Sequence, residues 1–186
     1  MKNIAILASG SGTNAQNIIQ YFQDHPTIRV DSVWSNRSDA YVLERAAKYG
    51  IEYGSFNREE FYNSEDFLNR LKSRNIDLIV LAGFLWLVPT NLIQAFPIIN
   101  IHPALLPTYG GKGMYGMKVH EAVVANREKE SGITIHMVDE VYDHGAVLRQ
   151  EKCPVLPDDT PESLAKRIHQ LEYKYFPEVI ENFLMK

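Results

Sequence analysis

Three short segments of this sequence carry side chains that could do chemistry. Asn100-Ile101-His102-Pro103 sets an amide and an imidazole two residues apart. In an extended chain such residues share a face. Asn100 could then donate to a developing oxyanion while His102 moves a proton at the same place. An Asn capping a turn, with an ordinary polar His before Pro103, would read the same way. The stretch Asp139-Glu140-Val141-Tyr142-Asp143-His144-Gly145 supplies carboxylates. One of them beside His102 is expected to favour the imidazolium and raise its pKa; the alternative is a solvated acidic turn. His144 is expected to be exposed in that turn. Thr134 and His136 alternate upstream, either lining a site or serving as satisfied polar residues.

The third segment is Ala8-Ser9-Gly10-Ser11-Gly12-Thr13-Asn14, after a first strand and before a first helix. Glycines let a ligand approach the backbone, and a helix N-terminus offers free N–H groups, so a phosphate is the expected occupant. Thr13 and Asn14 can add side-chain donors. The segment is not GxxxxGK[ST], and it departs from GxGxxG in having Ala15 at the third glycine position. A dinucleotide would want an acidic residue at the end of the second strand. Trp34-Ser35-Asn36-Arg37 stands there instead, although Arg37 could suit a 2′-phosphate. This disfavours a nucleotide-dependent oxidoreductase. A plain turn, or a non-catalytic nucleotide-binding module, gives no reason for Asn100 and His102 together at a strand end.

By themselves Glu172 reads as a helix-face residue and Arg58 as a surface residue. Leu81–Val88 reads as core and its loop, with Phe84 and Trp86 able to wall a flat aromatic ligand. Gly110-Gly111-Lys112-Gly113 reads as a mobile loop beside the site. The six His and one Cys show no metal-ligand spacing, so no metal is expected. No GxSxG or Cys/His signature of nucleophilic catalysis is present.

These segments need elements to hold them. Asn3–Leu7, Ile28–Trp34, Leu78–Ala82 and Ile98–Ile101 are apolar runs of strand length. Helical spacing falls between them, over Asn14–Phe22, Asp39–Tyr49 and Phe61–Leu71. Continuously apolar strands alternating with helices predict a parallel sheet covered on both faces. The expected class is α/β, a Rossmann-like doubly wound, mostly parallel sheet. Gly132–Val138 and Ala146–Val155, joined through Asp143–Gly145, predict an antiparallel C-terminal strand pair. Thr160–Leu184 predicts a last helix opened by Thr-Pro-Glu-Ser, with a kink or break at Pro177. The 186 residues are expected to form a single domain. Nineteen Lys+Arg against 23 Asp+Glu give a net charge of −4, so overall charge draws the chain to neither nucleic acid nor anionic membrane. No apolar run approaches the roughly 20 residues needed to span a bilayer, and the first residues lack a signal-peptide pattern. The single Cys153 excludes an internal disulfide, which suits a reducing cytoplasm.

Taken together, ASGSGTN at 8–14, WSNRSDAYVLERA at 34–46, LAGFLWLVP at 81–89, NIHPALLP at 100–107 and GITIHMVDEVYDHGAVLRQ at 132–150 resemble the phosphoribosylglycinamide formyltransferase family. The resemblance covers nearly the whole chain. It implies formyl transfer from 10-formyltetrahydrofolate, as co-substrate, to the amine of glycinamide ribonucleotide in purine biosynthesis. It implies Asn100, His102 and Asp143 as the catalytic set. Gly12, Thr13 and Asn14 would hold the phosphate, with His169 and Glu172 near the phosphoribosyl group. The folate would lie against Leu85, Trp86, Leu87 and Val88, and against the loop Asp139, Glu140, Val141, Tyr142 and Asp143. Asn100 would contact it too, and Arg58 would stand near its glutamate tail. The expected partners are these two small molecules, for a monomer or homodimer. Three features depart from the family. Trp86 replaces a usual Arg, the stretch 108–118 is longer than the usual loop, and the chain stops soon after its last helix. Related formyltetrahydrofolate enzymes differ in having an additional C-terminal tRNA-binding domain, or, in the hydrolase, an extra N-terminal regulatory domain.

Overall fold

An apolar run becomes a central strand when both its faces can be covered, and four runs here do so. The computed structural model describes residues 1–186. Its strands are β1 Lys2–Leu7, β2 Ile28–Ser35, β3 Glu52–Ser55, β4 Leu78–Leu81, β5 Ile98–His102, β6 Glu130–Met137 and β7 Val147–Pro154. Its helices are α1 Thr13–Phe22, α2 Tyr41–Lys48, α3 Asp66–Ser73, α4 Thr90–Ala95, α5 Met117–Ala125 and α6 Pro161–Met185. One sheet runs in the order β3-β2-β1-β4-β5-β6-β7. Its first five strands are parallel, and β6 and β7 join antiparallel. This is the expected doubly wound α/β sheet with its antiparallel C-terminal pair.

Alternate residues of the same strands feed two cores. Ile4, Ile6, Val80, Ile99 and Ile101 pack under α1, α2, α5 and α6, while Ala5, Leu7, Ile79, Leu81 and Ile98 face the other side. The second core is aromatic. Phe56 stacks on Phe61 with ring centroids 4.6 Å apart, and both contact Phe67 and Phe84.

The structure revises several sequence expectations. The helical pattern over Phe61–Leu71 is two elements, a π-helical turn Glu59–Asn63 and α3, separated by extended backbone at Ser64. Apolar spacing alone does not register that break. The edge strand β3, Glu-Tyr-Gly-Ser, escapes notice because it contributes no buried residue. The short α4 escapes for want of periodicity. The supposed loop over 108–118 ends earlier, since α5 begins at Met117. Pro177 does not break α6, which runs unbroken from Pro161 to Met185. Proline removes the N–H that would bond the carbonyl four residues back, here Tyr173. Asn17 on α1 donates its Nδ2–H to that carbonyl at 2.9 Å.

Candidate active site

In open α/β sheets, ligands gather beyond the carboxyl ends of the strands where strand order reverses. That point here lies between β1 and β4. Ser9, just after β1, ties the neighbouring strand ends together. Its N–H donates to Gly83 O at 3.0 Å, its hydroxyl donates to Asn36 Oδ1 at 2.7 Å, and that hydroxyl accepts the N–H of Leu85 at 3.0 Å. Gly12 follows at φ +78, and a Cβ there would come within 2.3 Å of Val42 Cγ2. Both requirements select glycine. No side chain caps α1, and its first turn has no acidic residue. The N–H groups of that turn therefore stand open to an anion.

Asn100 and His102 lie on β5, opposite His136 and Thr134 of β6. Tyr109 O lies 2.7 Å from His102 Nε2, and a carbonyl can only accept, so Nε2 carries a proton. His102 Nδ1 then faces Asp143 Oδ2 at 3.5 Å. Gly111 N–H donates to the same carboxylate oxygen at 3.1 Å. Asp143 itself is held at φ +54, a conformation that Asp and Asn tolerate better than most residues. His136 is fixed by the same logic. Its Nδ1–H donates to Met137 O at 2.8 Å, which leaves Nε2 to accept from Asn100 Nδ2 at 3.2 Å. Asp143 Oδ1 lies 3.6 Å from His136 Nε2. One carboxylate thus faces two imidazoles.

The expected raised pKa of His102 is not what the site produces. Burial lowers it, and the opposing pull of Asp143 does not overcome the loss of solvent around a ring only 4% exposed. For Asp143 burial pushes upward, but the facing imidazoles of His136 and His102 and the Gly111 N–H together hold its carboxyl low. The pair at neutral pH is accordingly a neutral imidazole beside a carboxylate, with Nδ1 free to receive a proton.

A cavity of about 710 Å³ joins this cluster to the glycine turn. Of the residues expected around a ribonucleotide, Asn14, His169 and Glu172 line it. Gly12 is buried behind the turn and Thr13 is exposed outside the cavity, whereas Ser9 and Gly10 line it. Asn14 Nδ2 donates to Glu172 Oε2 at 2.9 Å. Burial pushes the Glu172 carboxyl up to about 7, against that hydrogen bond. On the folate side Leu85, Trp86, Leu87, Val88, Asp139, Val141, Tyr142 and Asp143 line the cavity. Glu140 points to solvent. Arg58 is exposed at the rim, its guanidinium 4.6 Å from the Trp86 ring centre and 5.8 Å from that of Tyr62.

The two alternatives for Thr134 and His136 divide. Thr134 braces the Ala104–Leu106 turn through Ala104 O and the N–H of Leu106, while His136 belongs to the polar cluster. His144 is exposed and pairs with Asp139 at 2.7 Å. Ser9 and His120 were not singled out by sequence. Ser9 lay within a noted motif, and His120 carried no motif at all. No group of three or more His, Cys, Asp or Glu could hold a metal ion, and no helix is long and apolar enough to cross a membrane.

Fold and site together define a class: a doubly wound α/β protein with a proton-transfer centre and an open helix terminus sharing one cavity. The chain belongs to the formyl transferase family, whose model matches residues 2–180. It is 40% identical to the chloroplastic phosphoribosylglycinamide formyltransferase of Arabidopsis thaliana, over 96% of this chain and 64% of the plant protein's length. It is 39% identical to phosphoribosylglycinamide formyltransferase of Haemophilus influenzae, over 98% of this chain and 87% of that protein. Among solved structures, glycinamide ribonucleotide transformylase 1 from Geobacillus kaustophilus superposes with a TM-score of 0.88 at 36% identity, covering 99% of both chains.

Proposed function

We propose that the chain is a phosphoribosylglycinamide formyltransferase, moving the formyl group of 10-formyltetrahydrofolate to the amine of glycinamide ribonucleotide. The observation that carries this reading is the single cavity that the Asn100–His102–Asp143 cluster shares with the glycine turn and Glu172. The names of the relatives support it. In this reading the whole chain works as one formyltransferase domain. Its N-terminal half takes the phosphate on the open α1 terminus at Gly12, Thr13 and Asn14, where Asn14 meets the cavity, with His169 and Glu172 near the ribose. Its C-terminal half takes the folate between Leu85–Val88 and Asp139–Asp143, with Arg58 at the glutamate tail. No metal is needed, and the lone buried Cys153 suits a cytoplasmic setting.

The chemistry follows from the neutral His102. The amine nitrogen attacks the formyl carbon, and the carbonyl electron pair moves onto oxygen. The free N–H of the Asn100 amide stabilises that oxyanion; a well-placed donor contributes roughly 2.7–4 kcal/mol. His102 Nδ1 takes the proton released by the amine, and the imidazolium so formed faces Asp143. As the bond from carbon to N10 breaks, the imidazolium returns the proton to N10. Holding both substrates in one cavity supplies much of the remaining acceleration.

The test is to incubate purified protein with 10-formyltetrahydrofolate, with and without glycinamide ribonucleotide. Loss of formyl-folate only with the acceptor present is the expected result. Equal loss without acceptor would mark a hydrolase, and no loss in either case would leave a binding module.

A further inference from the structure

One polar side chain in the cavity is not used by that chemistry. His120 stands on α5, which packs against α6. It lines the cavity and is only 2% exposed, and its Nδ1 is sealed from solvent without a hydrogen-bond partner. A buried polar atom left unpaired costs about 1–3 kcal/mol, and such atoms are few in native proteins. A second unpaired atom, Asn14 Oδ1, belongs to the same cavity lining. The other ring nitrogen of His120, Nε2, has no protein partner either and is not sealed, so it is the nitrogen that a polar ligand in the cavity can reach.

The character of the ligand follows from the surroundings. Burial, and the rings of His169 and His102 close by, hold the His120 pKa down to about 4. Burial likewise lowers His169 and raises Glu172. Each of these groups is thus biased toward its uncharged form. These three groups offer an anion no counter-charge, the cations of the lining being Arg37 and Lys112, and they suit neutral hydrogen-bonding groups. His120 feels both His102, at the reaction centre, and His169, one turn of α6 before Glu172. The part of a ribonucleotide that lies between amine and phosphate is the sugar, and its neutral polar groups are hydroxyls.

We propose that His120 is a specificity residue for the acceptor substrate, its imidazole hydrogen-bonding a hydroxyl of the ribose. The inference rests on the transferase reading above. It is tested by calorimetric titration of the protein with glycinamide ribonucleotide and with its 2′-deoxy and 3′-deoxy analogues. The wild type is compared with His120→Phe, which keeps the ring and removes both nitrogens, and with His120→Gln. The phenylalanine variant should bind the intact ribonucleotide about tenfold more weakly, equivalent to about 1.4 kcal/mol. One of the two deoxy analogues should bind wild type and variant alike, and glutamine should restore part of the difference. Equal weakening toward all three ligands would reduce His120 to a packing residue and overturn the proposal, as would no weakening. If the phenylalanine variant fails to fold, His120→Leu, which also lacks a hydrogen-bonding group, decides by the same comparison. A wild type that does not bind the ribonucleotide at all would remove the transferase reading itself. Binding without the hydroxyl dependence would remove only the role of His120.

Discussion

At the scale of single residues, His102 must be neutral to accept a proton, and burial keeps it so. Its pKa lies below the usual 6.5, so turnover should hold at neutral pH and fall as pH drops below that range. Asp143 pulls the pKa upward. Asp143→Asn should therefore shift the acid limb of the kcat profile to lower pH while lowering the plateau. A limb that stays in place would separate Asp143 from His102. His102→Ala should cut kcat by about 10²–10⁴-fold, the usual contribution of a general acid–base. The Glu172 carboxyl makes a different kind of prediction. Its folded pKa of about 7 exceeds the 4.5 of a free Glu. Between those values the unfolded chain releases a proton that the folded chain keeps, so this group's contribution to stability is lost as pH rises toward 7. Glu172→Gln should therefore stabilise the protein at pH 8, by about 3 kcal/mol at most, and not at pH 4. Thermal midpoints at the two pH values would decide it.

At the scale of elements, one of the side-chain bonds between α1 and α6 answers the proline inside α6. Asn17→Ala should leave the Tyr173 carbonyl unpaired beside Pro177, at a cost of about 1–3 kcal/mol. In a Pro177→Ala background a backbone N–H is restored at that position, so the same substitution should cost less. A double-mutant cycle by urea unfolding measures the difference. This contact also shows where sequence reading stops. Pro177 is visible as a helix breaker, but the amide that answers it comes from residue 17, and only the packing of α1 on α6 brings the two together. The strands were legible because β1, β4 and β5 are apolar on both faces. The Asn100–His102 pair was legible because its spacing matches the strand repeat. The membership of His136 was not, because it depends on the antiparallel register that sets it opposite Asn100. The fall in the His102 pKa was equally hidden, since composition reveals a neighbouring carboxylate but not how little water reaches the ring.

At the scale of the molecule, burial acts on several titratable groups at once. His102, His120 and His169 are all held below the free-histidine value. Such groups support stability above pH 6.5, and that support is lost as pH falls through their folded values, near 4 for His120. Glu172 works in the opposite direction over much of the same window. Acid unfolding of the wild type should thus begin below pH 6.5, and Glu172→Gln should make the decline steeper by removing the opposing contribution. Circular dichroism across pH 4–8 checks both slopes; parallel curves for the two proteins would contradict the assignment. The last consequence concerns Ser9, whose one hydroxyl and one amide join three crossover loops. The first βα unit is not a detachable cassette. Grafted onto another sheet, it would arrive with a hydrogen-bonding vertex whose correspondents stayed behind at residues 36, 83 and 85. Exchange between relatives should therefore succeed only when all three loops travel as a set.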